Sequence, residues 1–500
     1  MSGEHHAIKK EPFVTPECER AFVDFLYGKL GLVIKKHQLK SLHDAVDKGC
    51  RLFGHLRWQD YFEALQQGDK ASAEMEQLVA GVTIGESYFF RDQKQIAWLR
   101  DVWLPQMIEK RRKLGDKSLR IWSAGCSNGQ EIYTIAILLT EIVPDLDEWN
   151  IHLLGTDINA EVLANALRGH YSSWSFRAMS DSMRDRYFFC QNNGYTINDK
   201  LRQLPYFTYL NLADDEFPSM LTQTNAMDLI LCRNVFIYFD KVVVDRVMQR
   251  FSRCLMPEGV LLLGASDLIA SSMESLKLVQ FRDIFYFHNS GGVQCRDQTA
   301  CLPAVTMQEK PEVVLKHPPL VVESKQKTDI GTLHGLLHDG RWHEALAFID
   351  AAVKQQGKTA SLLQHQAKVM ANLGDLIMAK ALCDESLGID PLNTHTYFLR
   401  AMVLTELDDH EGAESSLRKT IFLEPQFVEA HFQLGLLLIR REKSIAGIKS
   451  LNNALKLARD APPEGELHHA SGMTFKRFVE ILEHEIEMYA VDTQVKPDGQ

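Results

Sequence analysis

The sequence of 500 residues lacks the features that mark membrane-bound and secreted proteins. No apolar run approaches the ~18–20 residues that a transmembrane helix needs, so no membrane insertion is expected. Residues 1–6 are polar, without a basic segment leading into an apolar one, which predicts no secretory signal. The nine cysteines include no Cys-x-x-Cys pair, and this unpatterned set predicts reduced thiols in a cytoplasmic protein. The histidine pairs at 5–6 and 468–469 stand without further ligands, so no metal site is predicted.

Basic residues are outnumbered by acidic ones, with 55 Lys and Arg against 66 Asp and Glu. The net charge is −11, which argues against a nucleic-acid partner. Residues 329–500 carry 17 Lys and Arg against 25 Asp and Glu, a net charge of −8, and residues 1–328 carry the remaining −3. The two parts are therefore expected to meet different partners, and the length predicts about three domains.

The first 82 residues are predicted to form a helical domain, because apolar residues recur there at three- and four-residue steps. Between Phe22 and Trp58 the chain carries seven Lys and Arg and three Asp, a net charge of +4. This basic segment is interpreted either as a solvated helix face or as a docking surface for an acidic partner.

Strand and helix patterns alternate over residues 83–288, which predicts an α/β domain with a parallel sheet. Short apolar strands are expected at 119–122, 151–157, 227–232 and 259–264. Residues 187–210 are predicted to be a small β insertion. Residues 289–328 contain four prolines and no clear period, which is typical of a linker.

From residue 329 the chain repeats with a period of 34 residues, seen in Ala367, Ala401 and Gly435 and in Pro391 and Pro425. This period resembles that of tetratricopeptide repeats (TPRs), which stack helix pairs into an all-α solenoid. Repeats are expected over 329–459, followed by a terminal helix and tail over 460–500. Such a stack is expected to bind a protein partner. The alternative is that it serves as a purely structural spacer.

A small-residue turn follows the first strand and contains Gly125 and Gly129. The turn matches neither the dinucleotide fingerprint nor a phosphate-binding loop with Gly-Lys-Ser/Thr, and it contains no Lys or Arg. Asp157 ends the second strand, where a carboxylate accepts hydrogen bonds from ribose hydroxyls, although it is also placed to cap the next helix. Together these features suggest S-adenosylmethionine as the cofactor.

Three separated motifs then narrow the interpretation. They are ESYFFRD at residues 86–92, WSAGCSNGQE at residues 122–131 and CRNVFIYF at residues 232–239. In this order they resemble the signature of CheR-type chemotaxis receptor methyltransferases, a resemblance that covers residues 17–288. It implies a Rossmann-like, S-adenosylmethionine-dependent methyltransferase domain behind a helical N-terminal domain. With the repeats, the expected fold class is a multidomain protein.

The resemblance also implies an activity, the transfer of a methyl group to glutamate side chains of chemoreceptors. The substrate would be the cytoplasmic helices of such receptors. Arg91 and Tyr238 would act near the methyl group. The residues implied in cofactor binding are Ser87, Arg91, Gly125, Glu131, Asp157, Asn211, Leu212, Asn234 and Val235.

The chemistry needs no general base, because a glutamate carboxylate is already anionic at neutral pH. Catalysis is therefore expected to consist mostly of in-line positioning. Two other interpretations remain open at this point. One is a cofactor-sensing repeat scaffold with little methyl transfer, and the other is a methyltransferase with another substrate.

Overall fold

The computed structural model describes most of the chain, namely residues 15–67, 72–83, 85, 87–191, 194–215, 217–267, 276–290, 330–338, 340–469 and 473–493. The predicted linker lies outside the described residues from position 291 onward, and so does the predicted tail beyond residue 493. In the described part of the chain, no helix has both the length and the apolar character needed to cross a membrane.

The N-terminal unit is helical, as predicted. Its helices are α1 (Pro16–Leu30), α2 (Leu39–Phe53), α3 (Trp58–Gln67) and α4 (Ala73–Val82). The rings of Trp58 and Tyr61 pack against the ring of Phe22, and all three are buried. Each such burial contributes roughly 1.5–3 kcal/mol, which holds this small bundle together.

The middle unit is the predicted α/β domain. Its helices are α5 (Gln93–Trp98), α6 (Leu104–Leu114), α7 (Gln130–Ile142), α8 (Ala160–Arg168), α9 (Asp181–Tyr187), α10 (Asp199–Arg202) and α11 (Lys241–Cys254). Its strands are β1 (Ser118–Ala124), β2 (Asn150–Asp157), β3 (His170–Tyr171), β4 (Phe188–Gln191), β5 (Gly194–Ile197), β6 (Pro205–Tyr209), β7 (Met227–Cys232), β8 (Leu255–Leu263), β9 (Leu276–Phe281) and β10 (Ile284–Asn289).

Seven of these strands form one sheet in the order β6-β2-β1-β7-β8-β10-β9. The first five are parallel, and β10 runs antiparallel to β8 and β9. Alternate strand residues enter two apolar clusters, so that Ile121 packs on one face and Trp122 on the other. The order reverses between β1 and β7, and ligands bind at such a point, beyond the carboxyl ends of the strands.

The small β insertion lies earlier in the chain than predicted. The second sheet has the order β3-β5-β4, so it begins at His170 and ends at Ile197. Strand β6, which the sequence places in the insertion, is instead the edge strand of the large sheet and pairs with β2. A strand with alternating apolar residues could join either sheet. Which sheet β6 joins depends on its pairing with a distant strand, and the local sequence pattern does not encode that pairing.

The C-terminal unit is the predicted all-α repeat array. Its helices are α12 (Ile330–His338), α13 (Trp342–Gln356), α14 (Ala360–Asn372), α15 (Leu376–Ile389), α16 (Thr394–Glu406), α17 (His410–Leu423), α18 (Val428–Arg440), α19 (Ser444–Asp460) and α20 (Phe475–Thr493). Helices α14, α16 and α18 start 34 residues apart, which confirms the period. A side chain at Gly435 would bring its Cβ within 2.6 Å of Leu451, so the small residue permits close helix packing.

The repeats pack directly against the α/β domain. Arg120 of β1 and Glu406 of α16 form a buried ion pair of 2.9 Å, and Gln433 of α18 donates to the carbonyl oxygen of Leu221 at 3.0 Å. Helix α20, the predicted terminal helix, packs on α19 and also on α8 and β6. It thereby covers the edge of the sheet, where unpaired backbone groups would otherwise be exposed.

Candidate functional site

A cavity of about 230 Å³ lies at the carboxyl ends of the central strands. It is bounded by the segment before α5, the turn after β1, the end of β2, the segment after β6 and the turn after β7. All of the residues predicted for the site line it: Ser87, Arg91, Gly125, Glu131, Asp157, Asn211, Leu212, Asn234, Val235 and Tyr238. Side chains separated by up to 151 positions in the chain therefore share one cavity.

The turn after β1 depends on two glycines with positive φ, Gly125 at 80° and Gly129 at 82°. A Cβ atom on Gly125 would lie 2.4 Å from a methyl carbon of Val235, and one on Gly129 would lie 2.9 Å from the Cβ of Ala166. The backbone can approach a ligand closely here because no side chain intervenes. The absence of side chains also lets the turn after β7 pack against the turn after β1.

Asp157 lies at the end of β2 and is held by the backbone. Its carboxylate accepts hydrogen bonds from the backbone N–H of Ser127 at 2.9 Å and of Asn159 at 3.0 Å. Burial raises the pKa of Asp157, and these donors oppose that rise. The alternative that Asp157 caps the next helix is wrong, because the Asn159 side chain accepts from the first N–H groups of α8. Asp157 therefore keeps acceptor capacity toward the cavity.

Glu131, in the first turn of α7, forms an ion pair of 2.7 Å with Arg233, and it also accepts a hydrogen bond from the Ser123 hydroxyl at 2.7 Å. The Arg233 side chain is only 4% exposed, and it also donates to the backbone carbonyl oxygen of Arg91 at 2.9 Å. Arg233 thus connects two predicted site residues. It was not predicted, although an arginine directly after a buried strand and directly before Asn234 is a usable signal.

The segment before α5 contributes Gly85, Ser87 and Arg91 to the lining of the cavity. The carbonyl oxygen of Gly85 accepts a hydrogen bond from the Ser127 hydroxyl at 3.0 Å, which joins the segment to the turn after β1. Phe89 is fully buried among the rings of Tyr171, Phe176 and Phe188 of the insertion. These contacts fix the backbone on both sides of Ser87 and bring Arg91, which follows Phe89 by two positions, to the cavity.

The turn after β7 is held by a buried carboxylate, Asp267. This side chain accepts from the backbone N–H groups of Asn234, Val235 and Ile237, and burial raises its pKa. Asn234 itself has a φ of 61°. The next helical turn places Tyr238 on the cavity, and its carbonyl oxygen accepts a hydrogen bond from the Val33 N–H at 2.8 Å. The N-terminal unit is thereby attached beside Tyr238.

The segment after β6 contributes Asn211 and Leu212, both buried. The backbone N–H of Asn211 donates to the Asp215 carboxylate at 2.6 Å. Arg477 of α20 donates to the same carboxylate at 2.6 and 3.0 Å. A residue of the C-terminal unit therefore takes part in fixing the wall of this cavity.

The polar groups that line the cavity suit a cationic ligand with hydroxyl groups. Two carboxylates, Asp157 and Glu131, face it, together with apolar walls formed by Leu212 and Val235. The turn after β1 holds no Lys or Arg. Of the two arginines that line the cavity, Arg233 is already paired with Glu131, and Arg91 lies on the segment before α5. Carboxylates accept hydrogen bonds from ribose hydroxyls and pair with an ammonium group, both of which S-adenosylmethionine carries. The residues therefore fit that molecule.

Comparison with known proteins gives a consistent result. The family model "CheR methyltransferase, SAM binding domain" matches residues 85–285. A chemotaxis protein methyltransferase of Campylobacter jejuni is 31% identical over 207 residues, which are 41% of this chain and 72% of that protein. Chemotaxis protein methyltransferase 2 of Vibrio cholerae is 29% identical, over 52% of this chain and 88% of that protein.

One similar protein extends over the repeats as well. The probable biofilm formation methyltransferase WspC of Pseudomonas putida is 25% identical over 440 residues, which are 87% of this chain and 96% of that protein. Among solved structures, MamA from Desulfovibrio magneticus RS-1 matches 34% of this chain and 95% of its own at 19% identity, with a TM-score of 0.25.

Proposed function

This chain belongs to the CheR methyltransferase family, and we propose that it transfers a methyl group from S-adenosylmethionine to glutamate side chains of chemoreceptor-type signalling proteins. The product is a glutamyl methyl ester. One observation carries the proposal: three separated motifs and the end of β2 bring Arg91, Tyr238 and the carboxylates Glu131 and Asp157 to a single cavity at the switch point of the sheet. The named relatives, chemotaxis and biofilm methyltransferases, support the same substrate class.

In this proposal the cavity binds the methyl donor through its two carboxylates, which meet the hydroxyl and ammonium groups of the donor. Asp157 accepts from the ribose hydroxyls, and Glu131, which is held in place by its ion pair with Arg233, pairs with the ammonium group. The bound donor supplies a methyl group that is already electrophilic, because it is attached to a sulfonium. Gly125, Asn211, Leu212, Asn234 and Val235 border the adenosine, and Ser87 lies toward the methyl end.

Arg91 and Tyr238 are the proposed catalytic residues. Arg91 attracts the substrate carboxylate into the mouth of the cavity, and Tyr238 packs near the reacting methyl group. The carboxylate needs no base, since it is ionised at neutral pH. These residues therefore act by aligning the nucleophile and excluding water, which lowers the entropic part of the barrier. A tight pair with Arg91 in the ground state would not raise the rate, so the contact must strengthen toward the transition state.

The basic face of the N-terminal unit is the proposed docking surface for the receptor. Lys36, Lys40 and Arg51 are exposed, and within the described part of the chain they form no ion pair. The segment that leads into this face is attached beside the cavity, because Leu32 lines the cavity and the N–H of the adjacent Val33 donates to the carbonyl oxygen of Tyr238. Receptor helices that expose glutamates are acidic, so charge complementarity steers them to this face.

The repeat unit is proposed to bind a further protein or to regulate transfer. We also propose the domain division 1–82, 83–288, 329–459 and 460–500, joined by the linker 289–328. The alternative function, a cofactor-sensing scaffold with little methyl transfer, shares the same cavity and the same repeats. The two functions differ only in whether the chain catalyses methyl transfer.

The test uses the full chain, tritiated S-adenosylmethionine and cytoplasmic fragments of candidate receptors. Label that enters a receptor fragment, is released by mild alkali as methanol and disappears when the acceptor glutamates are changed to alanine supports the proposal. The Asp157→Ala variant should transfer no label, because the ribose contact is lost. Cofactor binding without transfer to any receptor fragment would instead support the scaffold function.

A further inference from the structure

A cluster of three side chains that can ligate a metal lies where helix α20 meets the N-terminal unit. It consists of Glu76 in the first turn of α4 and of His484 and Glu487 in α20. One ligand atom from each side chain lies within 4.8 Å of the other two, and no other three His, Cys, Asp or Glu side chains among the described residues come this close. None of the three lines the methyl-transfer cavity, so the cluster is a separate feature.

Helix α20 presents two of the ligands on one face. His484 and Glu487 are three positions apart, and side chains at this spacing are neighbours on a helix. The ring of Tyr209, in β6, stacks on the imidazole of His484, with 4.2 Å between the ring centres and 11° between their planes. The imidazole therefore has a fixed orientation. The sequence alone does not reveal the cluster, because Glu76 belongs to another domain.

The imidazole of His484 lacks the hydrogen bonds that a buried polar group needs. The residue is 3% exposed, and neither ring nitrogen has a hydrogen-bond partner in the part of the chain that the structure describes. Its Nδ1 lies 2.6 Å from Oε1 of Glu76, yet these two atoms are not aligned as a hydrogen bond. Buried polar atoms without partners are rare. Two atoms whose lone pairs point at one shared ion are close to each other in this unaligned way.

The two carboxylates of the cluster repel each other. Partial burial, followed by the charge of Glu76 and a hydrogen bond with it, raises the pKa of Glu487. A proton held between the two carboxylates weakens the repulsion, and a divalent cation replaces it with attraction. Glu487 is exposed, so an ion can enter from solvent and keep water as a further ligand.

We propose that Glu76, His484 and Glu487 bind one divalent transition-metal ion such as Zn²⁺. An imidazole and two carboxylates suit zinc, whereas Mg²⁺ and Ca²⁺ take oxygen ligands. Zinc bonds to nitrogen and oxygen are about 2.0–2.2 Å long, so two ligand atoms of one ion lie at most about 4.4 Å apart. Small side-chain rotations are enough to bring the three ligand atoms onto an ion.

The ion joins two elements that both support the cofactor cavity. Thr83, directly after α4, lines that cavity. Arg477 of α20 binds Asp215, which accepts the backbone N–H of Asn211 in the cavity wall. Bound metal therefore holds α4 and α20 together and takes no part in the chemistry of methyl transfer.

The test is titration of the metal-free full chain with Zn²⁺ in isothermal titration calorimetry. We expect one tight site, and Glu487→Gln and His484→Gln should each raise its dissociation constant at least about tenfold. Glu63→Gln is the matched control, because it removes an exposed carboxylate of α3 and should leave the affinity for Zn²⁺ unchanged. Mg²⁺ at the same concentration should not compete.

Hydrogen exchange locates the bound ion. Saturating Zn²⁺ should slow amide exchange in peptides from α4 and α20 of the parent chain and leave those of His484→Gln unchanged. A competing place for zinc is the pair of His395 and His469, whose ring nitrogens are 3.0 Å apart. His395→Gln is therefore included, and it should bind Zn²⁺ as the parent does.

Four results would overturn the proposal: Zn²⁺ affinity that is unchanged in Glu487→Gln, Zn²⁺ binding that is lost in His395→Gln and kept in His484→Gln, exchange that slows only outside α4 and α20, or Mg²⁺ binding as tight as that of Zn²⁺. If His484→Gln fails to fold in a thermal melt, Glu76→Gln replaces it with the same expectation of weaker binding. Neither measurement depends on methyl transfer, so the inference and the proposed enzyme fail separately.

Discussion

Arg477 of the C-terminal helix binds Asp215 of the methyltransferase domain through two hydrogen bonds, from Nε to Oδ1 at 2.6 Å and from Nη2 to Oδ2 at 3.0 Å. Both side chains are buried, with exposed fractions of 12% and 2%. Asp215 in turn accepts the backbone N–H of Asn211, a residue of the cofactor cavity. The repeat unit therefore supports the cofactor site through one continuous set of bonds.

The first prediction concerns this support. Arg477→Met leaves the buried Asp215 carboxylate without its partner, which costs roughly 3–5 kcal/mol, and the wall around Asn211 should loosen. We expect the dissociation constant for S-adenosylmethionine to rise about tenfold, or ~1.4 kcal/mol, in isothermal titration calorimetry. Lys476→Met, at the exposed neighbouring position, is the control and should bind normally. Normal cofactor affinity in a folded Arg477→Met variant would show that the two units are not coupled.

The second prediction concerns the turn after β1. Gly125→Ala places a methyl group 2.4 Å from a Val235 carbon at a φ of 80°, so the turn must move. Cofactor affinity should fall by at least about 100-fold, or ~2.7 kcal/mol. Gly388→Ala is the matched control, because its new methyl group meets nothing within 4 Å and lies in α15. That variant should be as stable as the parent or more stable, by up to about 1 kcal/mol.

The third prediction concerns substrate docking. Reversing charge at Lys36, Lys40 and Arg51 removes the attraction for acidic receptor helices. We expect kcat/KM for receptor methylation to fall at least about tenfold at low salt, and the difference to shrink as salt is added. The dissociation constant for S-adenosylmethionine should not change.

The control for docking reverses three exposed lysines of the repeats, Lys354, Lys449 and Lys456. That variant changes the net charge of the chain by the same amount without touching the basic face. Methylation rates that fall equally in both variants would mean that overall charge, and not this face, governs the encounter.

The fourth prediction concerns pH and α20. Glu485 is buried against β6, where it accepts from the Thr208 hydroxyl at 2.5 Å and the Tyr209 N–H at 3.4 Å, and burial raises its pKa to about 7. The ordinary pKa of glutamate is about 4.3, so the folded state holds the proton more tightly than the unfolded state. The resulting stability is complete below about pH 4 and is lost as the pH rises through 7.

Glu485→Gln keeps the shape of the side chain and removes its titratable carboxyl group. The stability of this variant relative to the parent should therefore increase between pH 5 and pH 8, by on the order of 2–3 kcal/mol. Denaturant unfolding of both proteins across this range measures the difference. Parallel pH profiles would mean that Glu485 does not titrate in this interval.

Local sequence pattern predicted much of the fold. The change from helical to strand period at Leu119 and the glycine turn after it mark β1 and the start of α7, because both signals are local. The pairing of β6 with β2 was not predicted, since Phe207 and Tyr209 alternate as they would in any two-sided strand. The packing of the repeats on the sheet also escaped prediction, because Arg120 and Glu406 are 286 positions apart and neither stands in a distinctive pattern.

In the candidate site, too, some features follow from local sequence and others depend on contacts between distant segments. Gly125, Asp157 and Asn234 follow strands of a parallel sheet, so their convergence follows from topology once the strands are assigned. Arg233 was not predicted because its role depends on Glu131, which reaches it from another element. Arg477 was not predicted because its partner lies 262 positions away.

The most direct test of the central claim is tandem mass spectrometry of a receptor cytoplasmic fragment after incubation with the full chain and S-adenosylmethionine. We expect a mass increase of one methyl group, about 14 Da, on glutamate side chains of the fragment. The increase should be lost when those glutamates are changed to alanine or when Asp157 of the enzyme is. A folded, cofactor-binding chain that methylates no glutamate in any receptor fragment, or that methylates lysine or cysteine instead, would contradict it.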